Sequence, residues 1–243
     1  MSLAGRGIVV TRPRELAPGL ARLIENAGGK AILFPALQIE DLPLPQALRR
    51  LDAFDLAIFI SPTAVRKGLE AGSRWPRVAA VGSGTRRELE KRGISAVIAP
   101  QAGADSEALL ALQELSQMAG KRVLIVRGEG GRELLGDSLK SRGAHVEYAE
   151  CYRRVRPDAD PAPLLAAWAD GAVHAVTVFS SDSLENLFAI LGRPGETPLR
   201  NTPLFVPHGR VAEHAARLGV REAIVAGAGD GEMVERLVAY FAK

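Results

Sequence analysis

The stretch Gly7-Ile-Val-Val-Thr-Arg-Pro13 leads into a helix-like run, then Gly28-Gly29 and a second apolar run. The same pattern returns as Arg122-Val-Leu-Ile-Val-Arg-Gly128, a helix-like run, Gly143-Ala144 and another apolar run. Arg12 matches Arg127 and Gly28 matches Gly143, both at an offset of 115 residues. Two further pairs follow in order: Ala57-Ile-Phe-Ile-Ser61 with Val176-Thr-Val-Phe-Ser180, and Val78-Ala-Ala-Val-Gly82 with Leu204-Phe-Val-Pro-His208. Three units repeated in order predict a duplicated half of about 120 residues. Between the short apolar runs, spacings such as Leu16, Leu20, Leu23 and Ile24 predict helices. Wholly apolar strands separated by helices read as parallel sheets covered on both faces. The fold class is α/β.

The segments Pro35-Ala-Leu-Gln-Ile-Glu-Asp-Leu-Pro43 and Glu150-Cys-Tyr-Arg-Arg-Val-Arg-Pro157 take the same place in the two halves. Each alternates polar and apolar residues and is bounded by proline, as an exposed extended linker would be. One carries Glu40 and Asp41, the other Arg153, Arg154 and Arg156. Opposite charges across a strand pair contribute roughly 0.2–1 kcal/mol, so the two linkers are expected to run side by side. The chain then divides as an interleaved pair. Residues 1–35 and 159–243 form one discontinuous α/β domain, 44–149 form the other, and 36–43 with 150–158 form a two-stranded β connector.

The composition excludes several classes. With 47% hydrophobic and 24% charged residues in 243, the chain is neither disordered nor fibrous. No apolar run approaches the roughly 20 residues of a membrane span, and the run at Ile8-Val9-Val10 is too short for a signal peptide. A soluble cytoplasmic protein is the expectation. Cys151 is the sole cysteine and the four histidines form no HxxxH pair, so a metal is not expected. The net charge of +3 comes mostly from arginine, which suits carboxylate or phosphate ligands, although a genome rich in arginine codons explains it too. The basic residues are evenly spread and no nucleic-acid motif is present, so nucleic acid is not an expected partner.

Gly82-Ser-Gly84, Gly128-Glu-Gly-Gly131 and Gly227-Ala-Gly-Asp-Gly231 each precede a predicted helix. None completes a dinucleotide or P-loop fingerprint. They serve as tight turns, or their amides hold anions at helix N-termini. Hydroxyls recur nearby at Ser61-Pro-Thr63, Ser83-Gly-Thr85 and Ser180-Ser-Asp-Ser183. Each is read singly as a helix cap; together they ring the carboxyl ends of strands, where open α/β sheets bind ligands. No GxSxG elbow supports a hydrolase. Tyr152, one of only three tyrosines, lies in the second linker, where it either packs an interface or offers a phenol to a ligand.

The set Thr11-Arg12-Pro13, Phe34-Pro35-Ala-Leu-Gln-Ile39, Phe59-Ile-Ser61-Pro-Thr-Ala-Val65, Ala80-Val-Gly82, Arg127-Gly-Glu-Gly-Gly-Arg132, Tyr152-Arg153 and Phe179-Ser-Ser181-Asp-Ser183 with Glu185-Asn186 resembles the uroporphyrinogen-III synthase family. The match runs in order through nearly the whole chain. The resemblance implies a cofactor-free, cytoplasmic lyase of haem biosynthesis; because no long apolar stripe demands a partner, a monomer is the default expectation. The lyase would cyclise hydroxymethylbilane, received from hydroxymethylbilane synthase, to uroporphyrinogen III, losing water and inverting ring D through a spiro intermediate. It also implies two α/β domains joined by a two-stranded connector, with the substrate in the cleft between them. Tyr152 matches the tyrosine proposed to assist hydroxyl departure. Substrate carboxylates would meet Arg12, Ser61, Thr63, Gly82, Ser83, Thr85, Arg127, Gly128, Gly130, Gly131, Ser180, Ser181, Ser183, His208, Gly209 and Arg210. Two places depart from the family pattern: His208-Gly-Arg-Val211 stands where a hydroxyl such as threonine is found, and Thr63 where asparagine is frequent. A hinged two-domain binder of a small anion, without catalysis, is the competing reading.

Overall fold

The computed structural model describes residues 2–69, 74–103 and 105–242; residues 70–73 and 104, within the stretch assigned above to the second domain, lie outside it. In chain order the first elements are β1 (Gly7–Val10), α1 (Ala17–Asn26), β2 (Lys30–Leu33), β3 (Gln38–Asp41), β4 (Leu56–Phe59) and α2 (Pro62–Gly68). Then come β5 (Arg77–Ala80), α3 (Ser83–Lys91), β6 (Val97–Ile98), α4 (Ser106–Leu110), β7 (Arg122–Gly128), α5 (Leu134–Ser141) and β8 (His145–Val155). The last third holds α6 (Ala162–Ala169), β9 (Ala175–Thr177), α7 (Ser181–Asn201, broken at Gly192), β10 (Leu204–Val206), α8 (Gly209–Arg217), β11 (Ala223–Val225) and α9 (Asp230–Phe241).

The chain forms two compact units, Met1–Gln38 with Val155–Lys243, and Ile39–Arg154. The first contains a sheet of order β11-β10-β9-β1-β2; the second contains β3-β8-β7-β4-β5-β6. All pairings from β2 to β11 and from β8 to β6 are parallel. The repeat explains why the two orders agree. Each sheet takes a strand–helix–strand piece from one half (β1-α1-β2 or β7-α5-β8) and the remaining strands from the other. Gly28 and Gly143, the pair at constant offset, end α1 and α5 with φ of 85° and 84°, a conformation glycine adopts without penalty.

Burial follows strand alternation. Ala57 and Phe59 of β4 pack with Leu124 and Val126 of β7 under α2 and α3, whose Ala64, Val65 and Leu89 complete that face. Leu56, Ile58, Val123 and Ile125 point the other way, onto Leu109, Leu110, Leu135 and Leu139 of α4 and α5. In the first unit, Val9 and Val176 face α7 and α8, while Ile8, Val10 and Ala175 face α1 and α9. Each fully buried aliphatic side chain contributes about 1.5–3 kcal/mol relative to exposure. Among the described residues no helix is long and apolar enough to cross a membrane.

The linker segments differ from expectation in one respect. The first holds β3, which lies beside β8 with Leu42 N donating to Cys151 O at 3.1 Å, and Glu40 meets Arg153 at 2.8 Å. The second is not a separate exposed linker: it continues β8 unbroken to Val155, with Cys151 and Tyr152 buried. The cause is a β-bulge. Arg127 pairs with Glu150, but Gly128 pairs with Tyr152, so Cys151 is the extra residue. Regular alternation would have placed Tyr152 on the face of Tyr148. The bulge instead puts Ala149, Cys151 and Tyr152 together in the core beneath α2 and α3.

Burial raises the Cys151 thiol to about 11. The protonated form is favoured in the fold, so this contribution to stability is present below the unfolded value of 9.0 and lost as pH rises through 11. With roughly 10²-fold less thiolate than an unfolded cysteine, native protein is expected to resist a thiol reagent at neutral pH and to react at once in denaturant. Equal rates in the two states would contradict this burial.

Candidate active site

In each sheet the chain runs outward in opposite directions from a central pair of strands, β1 with β9 and β4 with β7. Carboxyl ends of strands at such a switch point are where open α/β sheets bind ligands. The candidate residues gather at these ends.

In the second unit, Ser61 follows β4 in extended conformation and caps α2, its Oγ accepting from Ala64 N at 3.0 Å. Across the switch point, Tyr152 is fully buried and its hydroxyl stands 3.0 Å from the same Oγ. The ring lies against Gly128: a Cβ there would stand 2.6 Å from Cε2 and 2.8 Å from Cζ of Tyr152. Gly128 is therefore small because the phenol needs its space. Thr63 is buried in the first turn of α2, its Oγ1 accepting from Arg66 at 3.3 Å.

Arg127 is committed to protein groups. Only 6% exposed, it donates from Nε and Nη2 to Glu150 at 3.0 and 2.9 Å, from Nη2 to Glu133 at 2.9 Å, and from Nη1 to Gly131 O at 3.3 Å. Its guanidinium also lies 3.9 Å from the Tyr148 ring. Tyr148 donates to Glu133 at 2.6 Å; burial first and this bond second push the phenol up to about 12. Tyr148 and Arg127 in turn hold the Glu133 carboxyl below its ordinary value. A cavity of about 170 Å³ opens beside this cluster, lined by Asp105, Ser106, Arg127, Arg132 and Tyr148. Glu129 and Gly130 form the turn after β7, with Gly131 next in the chain, and Glu129 N donates to Tyr152 O at 2.8 Å.

The cap of α3 is Gly82, not a hydroxyl; Ser83 is the first helical residue and exposed, and Thr85 is buried. His208 caps α8 likewise, with Gly209 first in the helix and His208, Gly209 and Arg210 all exposed. Neither cap supplies a side-chain acceptor, so the amides of Ser83, Gly84 and Thr85 in α3 and of Gly209 and Arg210 in α8 remain open to an anion, whereas Val211 N donates to His208 O at 3.1 Å. Gly229 differs, because its amide donates to Glu232 of its own helix at 2.9 Å.

In the first unit, Thr11 Oγ1 donates to Thr177 O at 2.8 Å and Thr177 Oγ1 to Val9 O at 3.0 Å, stitching the switch point. Ser180 caps α7, accepting from Ser183 N at 3.1 Å, with the two hydroxyls 2.9 Å apart; Ser181 is the first helical residue. Arg12 stacks on Phe179 at 3.6 Å and pairs with Asp230 at 2.9 Å. Burial lowers its pKa, Asp230 opposes that, and its Nε has no partner among the described residues.

Sequence reading passed over Glu133, Glu150, Tyr148, Phe179 and Asp230. The signal for Glu150 was its place two residues before Tyr152; nothing in sequence spacing pairs Arg12 with Asp230. Among the described residues no group of three His, Cys, Asp or Glu side chains stands ready for a metal ion. A hollow of about 800 Å³ lies along β6, and none of the candidate residues lines it.

The family model of Uroporphyrinogen-III synthase HemD matches residues 19–234. The chain is 34% identical over 241 residues to the Uroporphyrinogen-III synthase of Escherichia coli K12, covering 94% of this chain and 98% of that one. It is 31% identical over 193 residues to that of Proteus mirabilis, covering 75% and 97%. Two crystal structures share the fold. A mutant uroporphyrinogen III synthase from the extremely thermophilic bacterium Thermus thermophilus superposes with TM-score 0.63 at 21% identity, covering 98% of this chain and 99% of that one. The uroporphyrinogen-III synthetase of Helicobacter pylori superposes at 0.64 and 14% identity, covering 97% and 99%.

Proposed function

We infer the function from kinship: this chain belongs to the uroporphyrinogen-III synthase family. The observation that carries the inference is the match to a curated synthase along 98% of that enzyme's length. The protein is accordingly a cyclising lyase that converts hydroxymethylbilane to uroporphyrinogen III, with loss of water and inversion of ring D through a spiro intermediate.

The chemistry assigns tasks to the residues. The hydroxymethyl C–O bond breaks with its electron pair leaving on oxygen, and that oxygen needs a proton to depart as water. In our reading the Tyr152 phenol gives it. The pyrrole nitrogen supplies electron density, and the resulting azafulvene must be kept from solvent water. Attack by the substituted carbon of ring D forms the spiro intermediate. The older bond from that carbon to the methylene bridge of ring C then breaks, leaving a second azafulvene on ring C that the free α-carbon of ring D attacks, and the proton this carbon loses as ring D regains aromaticity returns to the phenolate. Because Tyr152 is fully buried, the step requires the phenol to be uncovered when substrate binds. Much of the catalysis then lies in holding the bilane folded.

Donors suited to the substrate carboxylates are the open first turns at Gly82, Ser83 and Thr85 and at His208, Gly209 and Arg210. Ser180, Ser181, Ser183, Thr63, Gly130, Gly131 and the partly free Arg12 guanidinium complete the set. We assign Arg127 and Gly128 instead to the support of Tyr152, since their contacts are internal. Receipt of the bilane from hydroxymethylbilane synthase, a monomeric state and a cytoplasmic setting belong to the same proposal; the first is supported by the tendency of free bilane to close by itself.

Turnover separates this reading from a non-catalytic anion binder. Sub-stoichiometric protein is expected to redirect all of the bilane added. A change in product limited to one bilane per protein would favour the binder.

A further inference from the structure

We propose that Ser61 works through Tyr152: its hydroxyl donates to the phenol oxygen, frees the phenol proton for the departing hydroxyl and then holds the phenolate. The proposal rests on the reading of Tyr152 as proton donor given above. In that role Ser61 is a positioning residue rather than a ligand of substrate carboxylate.

Three observations carry it. First, the phenol is aimed at Ser61 by the backbone. The bulge at Cys151 turns Tyr152 to the α2 side, the ring fills the space left by Gly128, and the Arg127–Glu150 ion pair clamps the strand at the bulge. Second, among the described residues Ser61 is the group that hydrogen-bonds the Tyr152 hydroxyl, at 3.0 Å. Third, Ser61 Oγ already accepts from Ala64 N, which fixes the oxygen and leaves it one proton and one lone pair to share with the phenol.

Two proton arrangements are open to such a pair. If the phenol donates to Ser61, its proton is turned away from any substrate. If Ser61 donates to the phenol, the phenol proton is free to point outward. The second arrangement also improves as the reaction proceeds. When the C–O bond breaks and the phenol proton leaves with oxygen as water, Ser61 keeps its own proton and its bond becomes charge-assisted, roughly twice as strong as between neutral groups. An interaction stronger in the transition state than in the ground state raises kcat without tightening binding.

The test is a double-mutant cycle on isomer III formation. Ser61→Ala is expected to lower kcat by about tenfold with KM within about twofold, and to change kcat by less than about twofold when Tyr152 is already phenylalanine. Ser61→Thr, which keeps the hydroxyl, restores most of the loss. Ser61→Asp keeps a good helix cap with no proton to donate, so it recovers the folding stability lost in Ser61→Ala but not kcat. A raised KM, or an equal loss in both backgrounds, overturns the role of Ser61 and leaves that of Tyr152 standing. Full kcat in Tyr152→Phe overturns both. Absence of isomer III from the wild-type protein instead overturns the reading of the enzyme itself.

Discussion

Tyr152→Phe is expected to lower kcat for isomer III by about 10²-fold, the lower end of general acid catalysis. A phenol is a modest acid at neutral pH and the pyrrole nitrogen drives much of the departure, so the upper end is not expected. KM should stay near the wild-type value, because the carboxylate donors lie on other residues. Folding should be nearly intact. The ring continues to fill the hollow over Gly128, and the loss is one hydrogen bond to Ser61, about 1 kcal/mol. Steady-state kinetics with porphyrin isomer separation, beside a urea unfolding curve, measures both quantities. Unchanged kcat would remove Tyr152 from the chemistry. A large fall in stability with it would make Tyr152 a packing residue.

Gly7→Ala carries the largest expected stability effect. Gly7 opens β1, where His174 receives its amide on Nδ1 at 3.0 Å and donates its own amide to Gly7 O at 2.8 Å. A Cβ at Gly7 would stand 1.9 Å from the carbonyl oxygen of Ala172 and 3.1 Å from its carbon. Those atoms are backbone and cannot rotate away as a side chain would. Overpacking of this kind costs about 3 kcal/mol or more, enough to shift the unfolding midpoint of a protein this size by several degrees. Gly231→Ala is the control. Nothing lies within 4 Å of the added Cβ and the residue is in the first turn of α9, so stability should hold or rise by about 0.4–1 kcal/mol. Similar losses in both variants would contradict the close approach at Gly7.

The repeat makes the architecture legible in the sequence. Arg12 with Arg127 and Gly28 with Gly143 mark equivalent strand–helix–strand pieces, and short apolar runs marked the parallel strands. Glu40 beside Arg153 was legible too, since opposite charges on matched linkers imply adjacency. Asp41 was not: it pairs with Lys67 of α2, a partner set by packing rather than by strand register.

At the site, residue type was legible and its use was not. Ser61 and Ser180 cap their helices as hydroxyls in that place should. At Ser83 the cap falls one residue earlier, on Gly82, which leaves open amides that the serine in the sequence had concealed. Arg127 looked like an anion ligand because its partners Glu133 and Glu150 come together only through the turn after β7 and the pairing of β7 with β8. Tyr152 was legible as a linker tyrosine that packs an interface or meets a ligand, but not its burial in the core, which a single extra residue in β8 brings about. A bulge has no sequence period, so nothing short of the strand pairing reveals it.

The central claim is that this chain directs the ring closure of hydroxymethylbilane. Freshly prepared bilane is mixed with purified protein, the products are oxidised, and the porphyrin isomers are separated. The account predicts uroporphyrin III as the dominant product, with isomer I receding as protein is added. Isomer I alone, at every protein concentration, would contradict it.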